Sequence, residues 1–483
     1  MSTEKDFVKE ICSRDVDFSQ WYIDVVRKAE LADYAPVRGC MVIRPYGYTI
    51  WELVRDALDD EIKATGHQNA YFPLLIPESF LQKEADHVEG FAPQVGWVTA
   101  GGNEELEERL ALRPTSEAII CEMYSKWIRS WRDLPVMINQ WANVIRWEKV
   151  TRLFLRTTEF LWQEGHTAHE TREEAEEEAL KMLDVYDDVL RSVMAIPAYK
   201  GIKTEREKFP GAEQTYTVEA LMPDGRALQA GTSHNLGQHF AKVFNITYLD
   251  RNDEQSYVYQ TSWGVTTRLI GALVMVHGDD YGLKLPPRCA PYQVVIVPII
   301  YEESKSGILE KCNEILNELR GAGVRVHLDD RDGYTPGWKF NEWELRGVPL
   351  RLEFGPKDLE KGSVLTVRRD TREKQPIPLD DLNRELGELL DRIQVDMLEA
   401  ATKYTVDHTT TITDRAQFLL TFKGRPGIVR APWCRSGACE GKMQEETGAT
   451  IRFLKLEPES AAGEKCVGCG EDAEHWAYFA KAY

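Results

Sequence analysis

At 483 residues the chain is too long for one ordinary core and implies two to four domains. With 43% hydrophobic and 29% charged residues the composition is that of a soluble globular protein, which excludes a disordered chain. The net charge of -20 argues against a surface coated for nucleic acid, but leaves room for RNA on a local basic face. No apolar run approaches the roughly 20 residues needed to span a bilayer, and Met1-Ser2-Thr3-Glu4-Lys5-Asp6 has no signal-peptide pattern, so a cytoplasmic location is expected. Nine cysteines in so long a chain do not suggest a secreted disulfide framework. Cys12, Cys40, Cys121, Cys289 and Cys312 are scattered and read as buried small hydrophobes.

Residues 5–33 read as one or two amphipathic helices, with Phe18, Trp21, Tyr22, Val25 and Val26 on a packing face. A short strand then runs toward Pro45, which is expected at a strand end or edge because it cannot donate to a ladder. A helix is expected over 48–64, and the preceding helix with this strand end could form a dimer surface. Residues 70–77 read as an apolar strand closed by Pro77. The stretch 88–105, with Gly90, Pro93, Gly96, Gly101 and Gly102, reads as a flexible loop able to close over a site. Thr115 or Ser116 would cap a helix over 118–128, and Glu117 offers a fixed carboxylate for an amine.

The chain is organised around residues 142–166. Arg146 and Glu148 would share one side of a strand over 142–148, and residues 149–153 read as a turn. Beyond it, Phe154, Phe160 and Leu161 alternate with Arg156, Thr157, Glu159 and Glu164, which suggests a hairpin presenting polar groups to a cleft. Arginine forks there could clamp phosphate. Two strands with solvated charges remain an alternative for this stretch alone.

A helix over 168–195 carries six glutamates, read as a solvated face. Residues 216–221, 227–230 and 247–249 read as an antiparallel meander. Within it, Gly231 would let a backbone approach a ligand, and His234 alone would more often be structural than catalytic. Ser262 and Trp263 would end a strand, Gly264 would turn, and 266–277 would be a helix. Arg268 in its first turn opposes the helix dipole, a cost that a nearby anion such as a triphosphate would offset.

After Pro286-Pro287 the pattern changes to strands at 294–298, 324–329, 348–354 and 364–369 alternating with helices at 303–320 and 336–346. That indicates a separate α/β domain. A helix over 382–400 leads to Cys434-x4-Cys439 and Cys466-x2-Cys469, two thiolate pairs suited to a tetrahedral structural zinc site with no open position for chemistry.

These residues resemble a family. Pro45 is similar to motif 1 of the class II aminoacyl-tRNA synthetases, Arg146-x-Glu148 to motif 2, and Gly264-x-x-x-Arg268 to motif 3, in that order. Thr115-Ser116-Glu117, Arg156-Thr157, Trp162-Gln163-Glu164-Gly165-His166 and Gly231-Thr232-Ser233-His234 resemble the prolyl-specific family. The four cysteines and the terminal Tyr483 resemble its form typical of archaea and eukaryotes, also present in some bacteria. The resemblance spans essentially the whole chain.

It implies an α+β fold: a class II antiparallel-sheet catalytic domain flanked by helices over 1–284, an α/β anticodon-binding domain over 285–385, and a small α/β zinc-binding domain over 386–483. It implies a homodimer acting on L-proline, ATP and tRNA(Pro), with Mg2+ at the phosphates and structural Zn2+, and no membrane or DNA partner. The implied reaction makes prolyl-adenylate and pyrophosphate, then transfers the prolyl group to the end of tRNA. By correspondence Arg146, Arg268 and Glu148 are the catalytic set. Arg146, Glu148, Arg156, Thr157, Gln229, Thr232, Thr266 and Arg268 would hold ATP. Thr115, Glu117, Arg146, Trp162, Glu164, His166, Phe209, His234 and Ser262 would hold proline. Glu344, Arg351 and Lys357 would meet the anticodon, and Cys434, Cys439, Cys466 and Cys469 the zinc. Tyr483 would fold its carboxylate back toward the active site. The long editing insertion of the bacterial-type form has no room between Arg146 and Arg268, so clearing mischarged alanine would need a separate protein. A threonine-specific relative would carry a Cys/His2 zinc set in its pocket, which Thr115, Glu117 and His166 do not supply.

Overall fold

The computed structural model describes residues 11–87 and 94–483. Its centre is a large, mainly antiparallel sheet. Through its middle run the strands Arg226–Gly237, Tyr259–Thr266, Glu159–His169 and Val136–Ile145, each hydrogen-bonded to the next. Gln214–Leu221 adds to Arg226–Gly237, and Tyr199–Ile202 adds to Gln214–Leu221. One face of this sheet is covered by the helix Arg172–Ser192, which buries Ala179, Met182, Leu183, Tyr186, Val189 and Leu190 in the main core. Thr171 and Glu174 start that helix with a capping box, which satisfies two of its free N–H groups. Helices Phe18–Lys28, Pro45–Ala64 and Arg268–His277 complete the core through Trp21, Tyr22, Trp51, Leu58 and Ile270.

Several local expectations change. Pro45 is the first residue of helix Pro45–Ala64, where its missing N–H costs nothing. Only Leu75–Pro77 of the 70–77 stretch is strand, paired with Glu104–Leu112. Residues Trp97–Gly101 and Glu104–Leu112 form a hairpin rather than a loop, and Gly90 and Pro93 lie outside the described residues. Strand Val136–Ile145 ends before Arg146, so Arg146 and Glu148 sit on the connecting segment. Gly264 does not turn the chain: its strand runs to Thr266, the helix starts only at Arg268, and Gly264 pairs with Glu164 in the ladder. Thr247–Leu249 leaves the expected meander and pairs with Gln255–Tyr257 in a separate two-stranded sheet. The acidic helix is not wholly solvated, because Glu178 is buried against His67 at 3.2 Å and Lys181 at 2.9 Å. Glu176 accepts hydrogen bonds from Tyr216 and Asn235.

The second unit is a five-stranded sheet in the order Val326–Leu328, Val294–Pro298, Leu350–Phe354, Ser363–Arg368, Lys374–Pro378. The first three strands are parallel and the last two antiparallel additions. Pro376 and Pro378 disguised the last strand in the sequence, yet prolines are tolerated on an edge. The helix Leu382–Asp407 supplies Leu386, Leu390 and Ile393 to this core before the chain enters the third unit. That third unit is not detached. Its strand His475–Ala482 joins the main sheet in parallel, pairing Lys481 with Arg226 and Ala482 with Ala227. The expected α+β architecture of antiparallel sheet, α/β unit and small C-terminal unit is present. Between the strands Glu159–His169 and Tyr259–Thr266 lie the helix Arg172–Ser192, the sheet strands Tyr199–Ile202, Gln214–Leu221 and Arg226–Gly237, the helix His239–Phe244 and one small two-stranded sheet, with no inserted domain. Among the described residues no helix is long and apolar enough to cross a membrane.

Candidate active site

A cleft of about 390 Å³ opens on the face of the sheet opposite the acidic helix. Its floor follows from strand alternation, since residues two apart share a face. Trp162, Glu164 and His166 come from one strand, Ser262, Gly264 and Thr266 from the next, and Thr232 and His234 from the third. The register places Ser262 opposite both His166 and His234, and Gly264 opposite both Glu164 and Thr232. Gly165, facing the other way, has to be glycine: a Cβ there would lie 2.0 Å from the Trp263 ring that packs across it.

The cleft contains a buried acid network. Glu164 accepts hydrogen bonds from Ser116 and from Gln140 Nε2 (2.7 Å), and its other oxygen lies 3.0 Å from His166 Nε2. Burial works against the Glu164 charge, but His166, Ser116 and Gln140 outweigh it and hold the carboxyl below its ordinary pKa. For His166, burial is likewise outweighed by Glu164, which holds the imidazole above its ordinary value. Thr115 donates to Glu117 beside this network. Ser116 is the N-cap residue of the helix Glu117–Trp127, as expected, but its hydroxyl serves Glu164 and makes no cap bond. The His234 ring packs tilted against Phe209 with centroids 4.7 Å apart and lies 3.0 Å from Thr215 Oγ1; burial pushes its pKa down to about 3, so it is neutral at neutral pH.

The cleft also gathers arginines. Arg146 donates from Nε to Pro114 O at 3.0 Å, next to Thr115, and its guanidinium lies 5.6 Å from the rings of both Phe160 and Trp162. Arg268 donates from Nε to Leu155 O at 3.2 Å. Burial and then the neighbouring Arg146 charge press the Arg268 pKa down. Arg156 pairs with Glu148 at 2.6 Å. All the residues expected to hold ATP or proline line this one cleft.

Sequence reasoning missed other lining residues: Glu207, Lys208 and Pro210 flank Phe209, and Phe154, Leu155 and Phe160 form apolar walls. It also missed Arg113, fully buried, which donates to Phe72 O (2.7 Å) and Asn143 O (2.8 Å) and so fixes the chain just before Thr115. An Arg-Pro pair in the sequence was the available signal. Gly231 belongs to the cleft, but its close neighbours are Val265 and Tyr186, at 2.9 and 3.1 Å from where a Cβ would stand. Its lack of a side chain serves the packing of Val265 and Tyr186.

In the α/β unit, Glu344 and Arg351 line a smaller cavity of about 180 Å³ with Arg368, Arg369, Arg372 and Lys374. Arg351 lies 4.1 Å over the Phe340 ring and pairs with Glu353, and Glu344 pairs with Arg372 at 2.9 Å. Lys357 is not brought to that cavity; it sits on the short helix Pro356–Lys361. The sulfurs of Cys434, Cys439, Cys466 and Cys469 lie within 4.8 Å of one another, with edges of 3.5 and 3.7 Å. A zinc–sulfur bond of about 2.3 Å gives tetrahedral edges of about 3.8 Å, so the donors fit that ion. Tyr483 does not line the cleft. Its N–H donates to Ala227 O at 3.2 Å, its hydroxyl to Asp224, and Arg152 of the 146–158 segment lies 5.9 Å over its ring.

Comparison with known proteins agrees with this geometry. Residues 97–277 match the tRNA synthetase class II core domain (G, H, P, S and T), 293–389 the anticodon binding domain, and 416–483 the prolyl-tRNA synthetase C-terminal model. The chain is 59% identical to a proline–tRNA ligase of Natranaerobius thermophilus over 99% of both chains. It is 56% identical to one of Clostridium novyi over the full length of each. The crystal structure of prolyl-tRNA synthetase from Cryptosporidium parvum, complexed with halofuginone and AMPPNP, superposes with a TM-score of 0.94 at 41% identity, covering 100% of this chain and 99% of that one. Motif order, cleft geometry and these matches agree that the chain belongs to the prolyl-tRNA synthetases, class II ligases that join proline to tRNA.

Proposed function

We propose that the cleft is where proline meets ATP. The observation that carries this reading is that one cavity gathers the acidic network of Glu117, Glu164 and His166 together with the buried guanidinium groups of Arg146 and Arg268, with Arg146 in electrostatic reach of Glu117 and Glu164. Thr115 and Glu117 receive the secondary ammonium of proline. Trp162, Glu164, His166, Phe209, His234 and Ser262 wall its ring. Arg146 binds the proline carboxylate and the α-phosphate together, and Arg268 holds the γ-phosphate. Glu148, Arg156 and Thr157 take the adenine end and phosphates, with Gln229, Thr232 and Thr266 beside them.

No side chain forms a covalent bond with substrate. The proline carboxylate oxygen attacks the α-phosphorus as the bond to pyrophosphate breaks, and the arginines neutralise the charge that develops there. The side-chain oxygens of Gln229 and Thr266 suit a hard cation among the phosphates, where Mg2+ would screen their charge.

The remaining assignments belong to the same reading. The divisions are 1–284 catalytic, 285–385 anticodon-binding and 386–483 C-terminal. Glu344 and Arg351 face the anticodon, whose guanine edges suit an arginine fork, with Lys357 a more distant contact. The four thiolates hold a structural zinc. The enzyme works as a cytoplasmic homodimer through the Pro45 region.

Amino-acid-dependent ATP–pyrophosphate exchange without tRNA tests the cleft assignment. Proline should give the strongest exchange, with alanine or cysteine weakly behind. Exchange that survives undiminished in both Arg146→Ala and Arg268→Ala would overturn it.

A further inference from the structure

The cleft wall that carries Phe209 is a loop, residues 203–213, joining strand Tyr199–Ile202 to strand Gln214–Leu221. It supplies Glu207, Lys208, Phe209 and Pro210 to the cavity. Its far end is tied to the pocket through Phe209 N–H donating to Thr215 Oγ1 (2.9 Å) and the Phe209–His234 ring contact. Its near end is held by strand Gln214–Leu221, where Lys203 N–H donates to Thr215 O at 2.9 Å, and by the C-terminal unit. Ile202 and Leu454 exchange backbone hydrogen bonds of 2.8 and 2.9 Å. Gly201 permits that approach, since a Cβ there would lie 2.3 Å from Leu454 O.

One residue on, Lys203 is buried and donates to Glu219 Oε1 (2.6 Å) and to Arg452 O (2.8 Å). Arg452, also buried, clamps the same carboxylate with Nε at 3.1 Å and a terminal nitrogen at 3.0 Å. Thr204 donates to Glu440 Oε1 at 2.9 Å, and Arg206 to Gln444 Oε1 at 3.1 Å. Two cations and a carboxylate taken out of water add little net stability, so their value lies in fixing geometry.

We infer that the C-terminal unit positions the proline pocket, with Arg452, Glu440 and Gln444 acting on loop 203–213 as positioning residues. None of the three lines the cleft; each acts through the backbone that sets Phe209. The C-terminal unit is thereby part of amino-acid selection as well as a folded appendage. The inference rests on the assignment of Phe209 to proline.

The test is exchange kinetics on the full-length chain. Arg452→Met leaves Lys203 and Glu219 as a neutral pair, and Thr204→Val removes one hydroxyl at constant shape. Each should raise the KM for proline roughly tenfold, as displacement of a pocket wall does, with the KM for ATP within about twofold. Thr204→Ser should restore the wild-type value. If both folded variants keep a wild-type proline KM, the clamp is refuted. Should Arg452→Met fail to fold, the Thr204 pair decides alone: a raised proline KM rescued by serine supports the clamp, and an unchanged one refutes it. Phe209→Ala separates the two ideas. An unchanged proline KM there removes the pocket assignment and the clamp with it, whereas a raised one with silent Thr204→Val removes the clamp alone.

Discussion

At the scale of single residues, the decisive feature is that charges in the cleft are paired or held ready for a charge that arrives with substrate. Glu164 has three polar partners, whereas Arg146 has one carbonyl and two ring faces, and Arg268 one carbonyl and its own backbone contact. Arg146→Ala should therefore lower the exchange rate by about 100- to 1000-fold, the cost of losing one preorganised group at a charged transition state. Binding of tRNA measured by filter retention should be unchanged. Normal exchange in this variant would show that the phosphate is held elsewhere. A hydrophobic wall around proline discriminates by only about 1–3 kcal/mol per methylene. With no inserted editing domain between the two central strands, alanylated tRNA should accumulate when alanine replaces proline in a charging assay, and its absence would mean the pocket excludes alanine by other contacts.

At the scale of elements, two pieces have separate liabilities. The helix Arg268–His277 carries Arg268 at its start and buried His277 at its end, where Nε2 lies 2.9 Å from Met194 O. Burial pushes the His277 pKa from 6.5 down to about 4. Above about pH 6.5 the imidazole is neutral whether the chain is folded or unfolded, and nothing is lost. As pH falls from 6.5 toward 4 the unfolded chain takes up a proton that the folded one refuses, so stability falls. Between pH 7.5 and 5 the loss from this group is about 2 kcal/mol. His277→Gln, which keeps a donor toward Met194 O, should show a shallower decline of the urea midpoint over that range; an equal slope would assign the pH dependence to other groups.

On the proposed reading of its four thiolates as a metal site, the C-terminal unit depends on the bound ion. Chelation should then melt it before the rest, because ligand binding is folding energy. Since its strand His475–Ala482 pairs into the main sheet, protection of amide protons in Arg226–Gly237 should fall too. Melting and hydrogen exchange indifferent to chelator would reject a structural metal.

At the scale of the whole molecule, the α/β unit docks on the catalytic unit through Arg369–Asp279 at 2.7 Å and Arg372 over the Tyr281 ring at 3.6 Å. Its cavity is thus held at a set distance from the cleft, as a ligand that spans both would require. Arg351→Ala should leave exchange with proline intact and raise the KM for tRNA in aminoacylation, the reverse of Arg146→Ala. Equal loss in both assays would mean that the variant damages the fold. Light scattering should give the mass of two chains; a single-chain mass would refute the homodimer.

What the sequence by itself determined was chemistry and order. Pro45, Arg146-x-Glu148 and Gly264-x-x-x-Arg268 in succession, with four paired cysteines at the end, identify the family, and the residues matched to it for ATP and proline line one cleft. Local periodicity also located most helices and the α/β alternation, because these patterns are set by neighbours within a few residues. Tertiary structure decided what depends on distant partners. Only the register of three strands puts His234, Ser262 and His166 in one row, and a slip of one residue would turn each away from the cleft. Only long-range packing drew Glu178 inside, gave the hydroxyl of the N-cap residue Ser116 to Glu164, and made Gly264 a ladder residue. The junction of the C-terminal strand with the main sheet, and with it the Lys203–Glu219–Arg452 cluster, joins residues more than two hundred positions apart. No local pattern encodes such a pairing, because its free energy exists only once both partners are in place.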